Sequence, residues 1–317
     1  MIRIHTASRL HFGLFSPAVT SGRRFGGMGL MVNAPGIDIT MSTADTWTLL
    51  GPLAERAWKT TERLRKLAPF VNCPPLQIVV HHAPLEHQGL GTGTQIDLAL
   101  ARGLAEFCPG APKDVLALAA LASRGLRSAI GTHGFAQGGL LLDAGKRPET
   151  DIPAPLLMRF PFPEEWRVLL VRPWHLQGPA GRIEREKFLN LPADSRAQTE
   201  TLCRLALLEI VPALLEKDFR TFAQGVHAFN ALAGEMFRAV QLGTYGHAST
   251  ARLIALLQSW GCLGAGQSSW GPTVFAFAES AGEAEQWRER LRSLPEASEY
   301  EVIVTTGANH GARVERV

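Results

Sequence analysis

The sequence predicts an α+β protein of two domains in which a glycine-rich loop runs straight into a helix, and three observations predict it. Alternating or β-branched runs bounded by Gly, Pro or Asn read as strands in both halves of the chain, at 2–8, 36–43, 76–82, 166–173 and 300–306. Apolar residues recur at helical spacing between and after them, at about 55–68, 96–107, 113–128, 194–217, 218–238, 248–260 and 282–294. Strands and helices mix without strict β-α alternation, which favours α+β domains over a parallel doubly wound sheet.

Each element has a local reason. In "GIDITMST" (36–43) Ile37 and Ile39 share one side of a strand, and "LQIVVHH" (76–82) is rich in β-branched residues. The segment 55–68 sets Trp58, Leu64 and Leu67 on one helical face and basic residues on the other. After "HQGLGTGTQ" (87–95), Ile96, Leu100, Leu104 and Phe107 continue a helix that "CPG" (108–110) ends. A further helix leads into "IGTHGFAQGGLLLDAG" (130–145), read as a glycine-rich loop and a short strand. "KRPETDIPAPL" (146–156), rich in proline and charge, divides a domain at 1–155 from one at 156–317. In the second half Phe219, Phe222, Val226, Phe229, Ala233 and Phe237 form an apolar helical stripe, and Pro212 bends or divides the helix before it. "GCLGAGQSSWGPTVFAFA" (261–278) is another glycine-rich turn, feeding a strand.

Composition narrows the function. A net charge of +3 on 317 residues is too small to argue for nucleic acid and leaves room only for local basic clusters facing an anionic small molecule. Cys73, Cys108, Cys203 and Cys262 show no CxxC-like spacing, so neither a zinc site nor a disulfide framework is suggested, and reduced thiols of a cytoplasmic protein are expected. "MIRIHTASRL" lacks a secretory pattern, and the apolar run at 115–122 is far short of the ~20 residues that span a bilayer.

The stretch 87–95 carries the chemistry. Gly89, Gly91 and Gly93 alternate with Leu90, Thr92 and Thr94 before the helix begins. A helix N-terminus has unpaired amides and partial positive charge, and glycines in front of it let an anion approach without meeting a β-carbon. The threonine hydroxyls and Gln95 add hydrogen-bonding groups, so the stretch reads as a phosphate cradle; a flexible turn is the plain alternative. It is not a Walker A loop, because no Lys-Ser or Lys-Thr pair closes it. His87 and Gln88 enter the cradle, and Asp97 follows it, either as a magnesium ligand with Thr94 or as a charge favouring the helix dipole. Gly264, Gly266, Gln267, Ser268 and Ser269 offer amides and hydroxyls in the later turn, and His133 and Gln137 stand in the third. Arg9 and His11, two apart on a strand, face one way and suit a carboxylate or phosphate, with a surface pair as the alternative. Arg23 and Arg24 could clamp phosphate bidentately. Arg127 is explained by a helix C-terminus without any ligand. His175 and Gln177, followed by Arg182 and Glu184, suggest a substrate loop in the second half.

"ASRLHFGLF" (7–15), "PLEHQGLGTGTQ" (84–95) and "GAGQSSWGPTVFAF" (264–277) resemble, in order and spacing, the three motifs of the GHMP kinase superfamily. With "RRFGGMGL" (23–30) added, the pattern is similar to the β-ribofuranosylaminobenzene 5'-phosphate synthases within it. The resemblance implies a two-domain GHMP kinase-like architecture. It also implies a homodimer that moves phosphoribosyl from 5-phosphoribosyl 1-pyrophosphate to 4-aminobenzoate or 4-hydroxybenzoate. Carbon dioxide and pyrophosphate would leave, Mg2+ would assist, and the product would serve tetrahydromethanopterin synthesis. An ATP-dependent small-molecule kinase and a non-catalytic nucleotide-binding module are the rivals. Thr94-Gln95 replaces the kinases' Ser-Ala, and Ala136 or Gln137 stands near their Asp; a glutamine cannot take a proton at neutral pH. The synthase reaction needs no strong base, since loss of carbon dioxide restores aromaticity; it needs placed positive charge and orientation.

Overall fold

The computed structural model describes residues 1–18, 22–193, 196–241 and 243–317. Two long antiparallel strands, β1 (Ile2–Ser16) and β2 (Phe25–Thr43), form the spine of the first sheet. The chain continues through β3 (Thr48–Leu50), α1 (Ala54–Leu64), β4 (Leu76–His82), α2 (Thr92–Phe107), α3 (Val115–Leu121), α4 (Ile130–Gln137), β5 (Leu140–Asp143) and β6 (Leu156–Phe160). Next come β7 (Arg167–Pro173), α5 (Gly181–Leu189), α6 (Arg196–Leu205), a π-helical turn (Ala206–Ile210), α7 (Val211–Glu216), α8 (Phe219–Glu235), α9 (Arg238–Gln241) and α10 (Ala248–Ser259). Finally, β8 (Gly264–Gln267), β9 (Val274–Ala278), α11 (Ala281–Arg292), β10 (Tyr300–Thr305) and β11 (Arg313–Arg316) complete the order. The first sheet runs β11-β1-β2-β4-β3, with β5 on β2 and β6 on β5; the second runs β10-β7-β9-β8. No helix among the described residues is long and apolar enough to cross a membrane.

The sheets do not part at residue 155. Leu156–Phe160 pairs with β5, and Arg313–Arg316 returns to pair with β1, so both ends of the second half close the first sheet. A shared core lies between the sheets, where Leu10, Phe12 and Leu14 of β1 meet Phe162, Trp166, Phe222, Phe275 and Phe277. The rings pack largely edge to face, as Phe12 on Phe277 and Phe162 on Trp166, an arrangement worth about 0.5–1.5 kcal/mol per pair beyond area burial. A second core, under α1, α2 and α3, takes Ile2 and Ile4 from the other end of β1.

Three local expectations need correction. "GTHGFAQ" is helix α4, not a loop: its glycines are packing residues, and a β-carbon at Gly134 would lie 2.2 Å from Met31 Sδ. Residues 36–43 are the end of the 19-residue β2 rather than a separate strand. The helix expected from 194 starts at Arg196, residues 194–195 lying outside the described ones, and it is interrupted by the π-helical turn just ahead of Pro212.

Candidate active site

Of the cradle's glycines, Gly89 makes room for another backbone, while Gly91 faces the Arg9 side chain and Gly93 those of Arg56, Arg124 and Glu86. Gly89 has φ +84°, and a β-carbon there would sit 2.2 Å from Ser268 O; one at Gly271 would sit 2.1 Å from Gly89 N, and one at Gly178 2.5 Å from Trp270 O. The loop before α2, the segment after β7 and the β8–β9 turn therefore interlock through glycines. Ser268 fastens them: its Oγ donates to Gly89 O (2.7 Å) and accepts from His11 N (3.1 Å). Ser269 N donates to His11 O (3.0 Å), and Arg9 N donates to Leu90 O (2.9 Å), so β1 runs through the junction. Gly91, in left-handed conformation, leads into α2.

Beside this junction lies a cavity of about 240 Å³. Arg9, His11, Thr94, Arg124, Arg127, Ser128, Glu184, Gln267 and Ser269 supply its polar wall. Phe188, Phe237, Tyr245 and Trp270 supply an aromatic one, with ring centroids 4.9 Å apart for both Phe188–Trp270 and Phe237–Trp270. His11 reaches the cavity because a bulge between His11 and Gly13 interrupts the alternation of β1, burying three consecutive residues, Leu10, His11 and Phe12.

The three cavity guanidiniums are not equivalent. Arg124 is paired with Asp97, and Arg127 with Glu184 (2.7 Å) while lying 4.8 Å over the Phe188 ring. Arg9 has only a long contact from Nη1 to Gly89 O (3.4 Å), and its buried Nε has no partner. Burial pushes Arg9 down to about 10, with Glu184 pulling the other way, so it stays cationic at neutral pH. Burial and the Arg9 charge push His11 well below the usual imidazole value, so it is neutral there. An under-partnered cation, a neutral imidazole and the first turn of α2, represented by Thr94, thus face one space whose opposite wall is aromatic.

Several expected site residues lie elsewhere. Asp97 points away from the role of metal ligand: Arg56, Arg124 and Thr60 occupy its two oxygens, and although burial pushes its carboxyl up, the two guanidiniums and the Thr60 hydroxyl hold it below the ordinary range. No group of three or more His, Cys, Asp or Glu among the described residues could hold a metal. Gln95 is buried between Thr6 and Gly131, and Thr92 Oγ1 donates to Leu85 O, so both are structural. His133 is buried against Ala154 O, and Gln137 is exposed at the end of α4, outside the cavity. Gly264 and Gly266 are strand positions that let α8 pack closely, a β-carbon at 266 meeting Asn230 Oδ1 at 2.5 Å. Gln88 donates to Leu176 O, His87 O accepts from Gly178 N, and His175 and Gln177 are exposed; this loop buttresses the junction. Arg23 Nη1 donates to Gly145 O and Arg24 lies over Phe25; neither lines the cavity. Arg9, His11, Thr94, Gln267 and Ser269 do line it; Gly89, Leu90, Gly91 and Gly93 belong to the adjoining loop and the first turn of α2 and not to its wall, and Ser268 fastens that loop.

The sequence reading missed Arg124, Ser128, Phe188, Tyr245 and Asp143, and it passed over Arg127. The signal available was "SRGLRS" (123–128), two arginines three apart between helical runs and near two serines.

Comparison with known proteins adds to this geometry. Residues 210–297 match the model of the GHMP kinases C-terminal family. A mevalonate pyrophosphate decarboxylase from Streptococcus pyogenes is similar in structure, with TM-score 0.67, 12% identity and coverage of 98% of this chain and 97% of that one. A homoserine kinase from Cytophaga hutchinsonii is similar at TM-score 0.63, with 16% identity over 99% and 97%. At such identities these share the fold. In sequence, the beta-ribofuranosylphenol 5'-phosphate synthase of Methanothermobacter thermautotrophicus is 30% identical over 98% of this chain and 97% of its own length. That of Archaeoglobus fulgidus is 30% identical over 99% and 100%. On a GHMP kinase-like fold, this chain belongs to the beta-ribofuranosylphenol 5'-phosphate synthase family.

Proposed function

We propose that the protein transfers a 5-phosphoribosyl group from 5-phosphoribosyl 1-pyrophosphate to a para-substituted benzoate, with release of carbon dioxide and pyrophosphate, in tetrahydromethanopterin synthesis. The observation that carries the reading is Arg9: a guanidinium with almost no internal partner, beside a helix N-terminus, in a cavity with an aromatic wall. An anionic sugar donor satisfies the cationic side, and a flat arene suits Phe188, Phe237 and Trp270. The anomeric carbon bonds to the ring carbon that bears the carboxylate as its bond to the diphosphate breaks. The carboxylate carbon then departs as carbon dioxide and its bonding pair returns to the ring. Main-chain amides and Arg9 stabilise the leaving charge, and no residue needs to remove a proton from the ring. The relatives are named for a phenol product, which favours 4-hydroxybenzoate over 4-aminobenzoate as the acceptor. Magnesium, in this reading, enters with the diphosphate, since Asp97 is closed to it. The reading includes the homodimer that the family resemblance implies, which sedimentation equilibrium would test. The deciding experiment supplies purified protein with Mg2+, the sugar diphosphate and carboxyl-labelled 4-hydroxybenzoate. Labelled gas should appear in step with pyrophosphate; folded protein that releases neither refutes the reading.

A further inference from the structure

From the cavity wall a chain of groups runs inward from His11, through half-buried Ser128 to buried Asp143. His11 Nε2 lies 3.0 Å from Ser128 Oγ, and Ser128 Oγ lies 3.2 Å from Asp143 Oδ2. Asp143 has no exposed surface, and it also accepts from Ala129 N (2.8 Å) and Gly145 N (3.0 Å). Ile130 N donates to Ser128 Oγ at 3.3 Å. The serine has a single proton to give, and both Asp143 and His11 could receive it. Burial pushes the Asp143 carboxyl up, and against it stand the amides of Gly145 and Ala129, one on each oxygen, the Ser128 hydroxyl and the nearby His133. With every one of these contacts favouring the bare carboxylate, Asp143 is the charged acceptor, which makes the stronger bond. The serine proton therefore goes to Asp143, and the two lone pairs of Ser128 are left for Ile130 N–H and for the ring of His11.

We infer that Asp143 and Ser128 are positioning residues that lock His11 in the tautomer protonated at Nε2, leaving Nδ1 as the ring nitrogen able to accept a hydrogen bond from a molecule in the cavity. The tautomer rests on the hydrogen-bond geometry together with a charged Asp143; the identity of the donor rests on the reaction proposed above. There, the para hydroxyl of the acceptor is the group to be received. Polarising that O–H pushes electron density to the ring carbon opposite, the carbon that must bond to the sugar. The proton stays on the oxygen throughout, so the hydrogen bond aids the step without changing its balance. Arg9, next but one along β1, is the charged group nearest in sequence, and it can only donate; it cannot supply this acceptor.

The test is the nitrogen spectrum of His11 in the full-length protein, assigned by comparison with H11N. Wild type should show a pyridine-like Nδ1 and a pyrrole-like Nε2 at neutral pH. In S128A the two signals should move toward an averaged pair, and with active protein kcat should fall by up to about 10²-fold while KM for the sugar diphosphate stays within a few-fold. S128T, which keeps the hydroxyl, should restore the wild-type spectrum. A ring protonated at Nδ1 in wild type, or a spectrum indifferent to S128A, overturns the inference. Because the spectrum needs no turnover, it can fail while carbon dioxide release succeeds, and the reverse.

Discussion

Arg124 Nε donates to Asp97 Oδ2 across 2.6 Å, tying the segment between α3 and α4 to the second turn of α2. Arg56 approaches the same carboxylate from α1, and Thr60 adds a hydroxyl. One buried anion therefore holds two guanidiniums, one of which forms part of the cavity wall.

Replacing Asp97 by Asn should destabilise the protein by about 3–5 kcal/mol, because Arg124 loses its counter-charge and Arg56 is left with Glu86 alone. Urea titration at pH 7 measures it. Since Asp97 is held below its unfolded value of about 3.9, its contribution is complete above that pH and is lost as pH falls through the lower folded value. The gap between wild type and D97N should accordingly close in acid.

Arg9 should behave the opposite way. R9M removes a cation that lacks an internal partner, so the urea midpoint should stay level or rise, while kcat/KM for the sugar diphosphate falls about 10²–10³-fold. A parallel loss of stability and activity would contradict the role assigned to this residue.

The glycine junction makes a steric prediction. G89A and G271A each drive a β-carbon to within 2.2 Å of main-chain atoms, and at Gly89 the left-handed φ adds strain. Each should cost about 1–3 kcal/mol or more, read as a fall in Tm. The double variant should fall short of the sum, because the two share one contact.

His11 adds a pH dependence to stability. Its folded value lies below the unfolded one of about 6.5, so between the two the unfolded chain binds the proton and the folded chain does not. Stability from this residue is complete above about pH 6.5 and declines as pH falls below it. H11N should flatten the stability profile in that interval, as measured by urea midpoints from pH 7.5 downward.

Much of the fold could be read from the chain because its elements carry their own periodicity. β4 and α10 fall almost where alternation and helical spacing put them, and α8 follows its phenylalanine stripe. The misreading at α4 involves glycine. A run such as "GTHGFAQGG" says only that side chains are missing, and the reason at α4 is Met31, a neighbour more than 100 residues away in sequence. The cavity was half legible for the same reason. Arg9, His11 and Thr94 stand in motifs, whereas Asp143 ends an ordinary apolar strand and acquires its role from a serine 15 residues earlier. Local patterns do not encode such pairings.

The interlock of Gly89, Gly178 and Gly271 also limits how this scaffold can drift. In most cores a bulkier residue can be tolerated once a neighbour shrinks, but here the atoms met are main-chain atoms, which no smaller side chain removes. Compensation must come from moving whole segments, which would shift Arg9 and His11 together. Changes in substrate preference are therefore expected to accumulate on the far wall, around Phe188, Phe237 and Tyr245, where side chains can be exchanged one at a time.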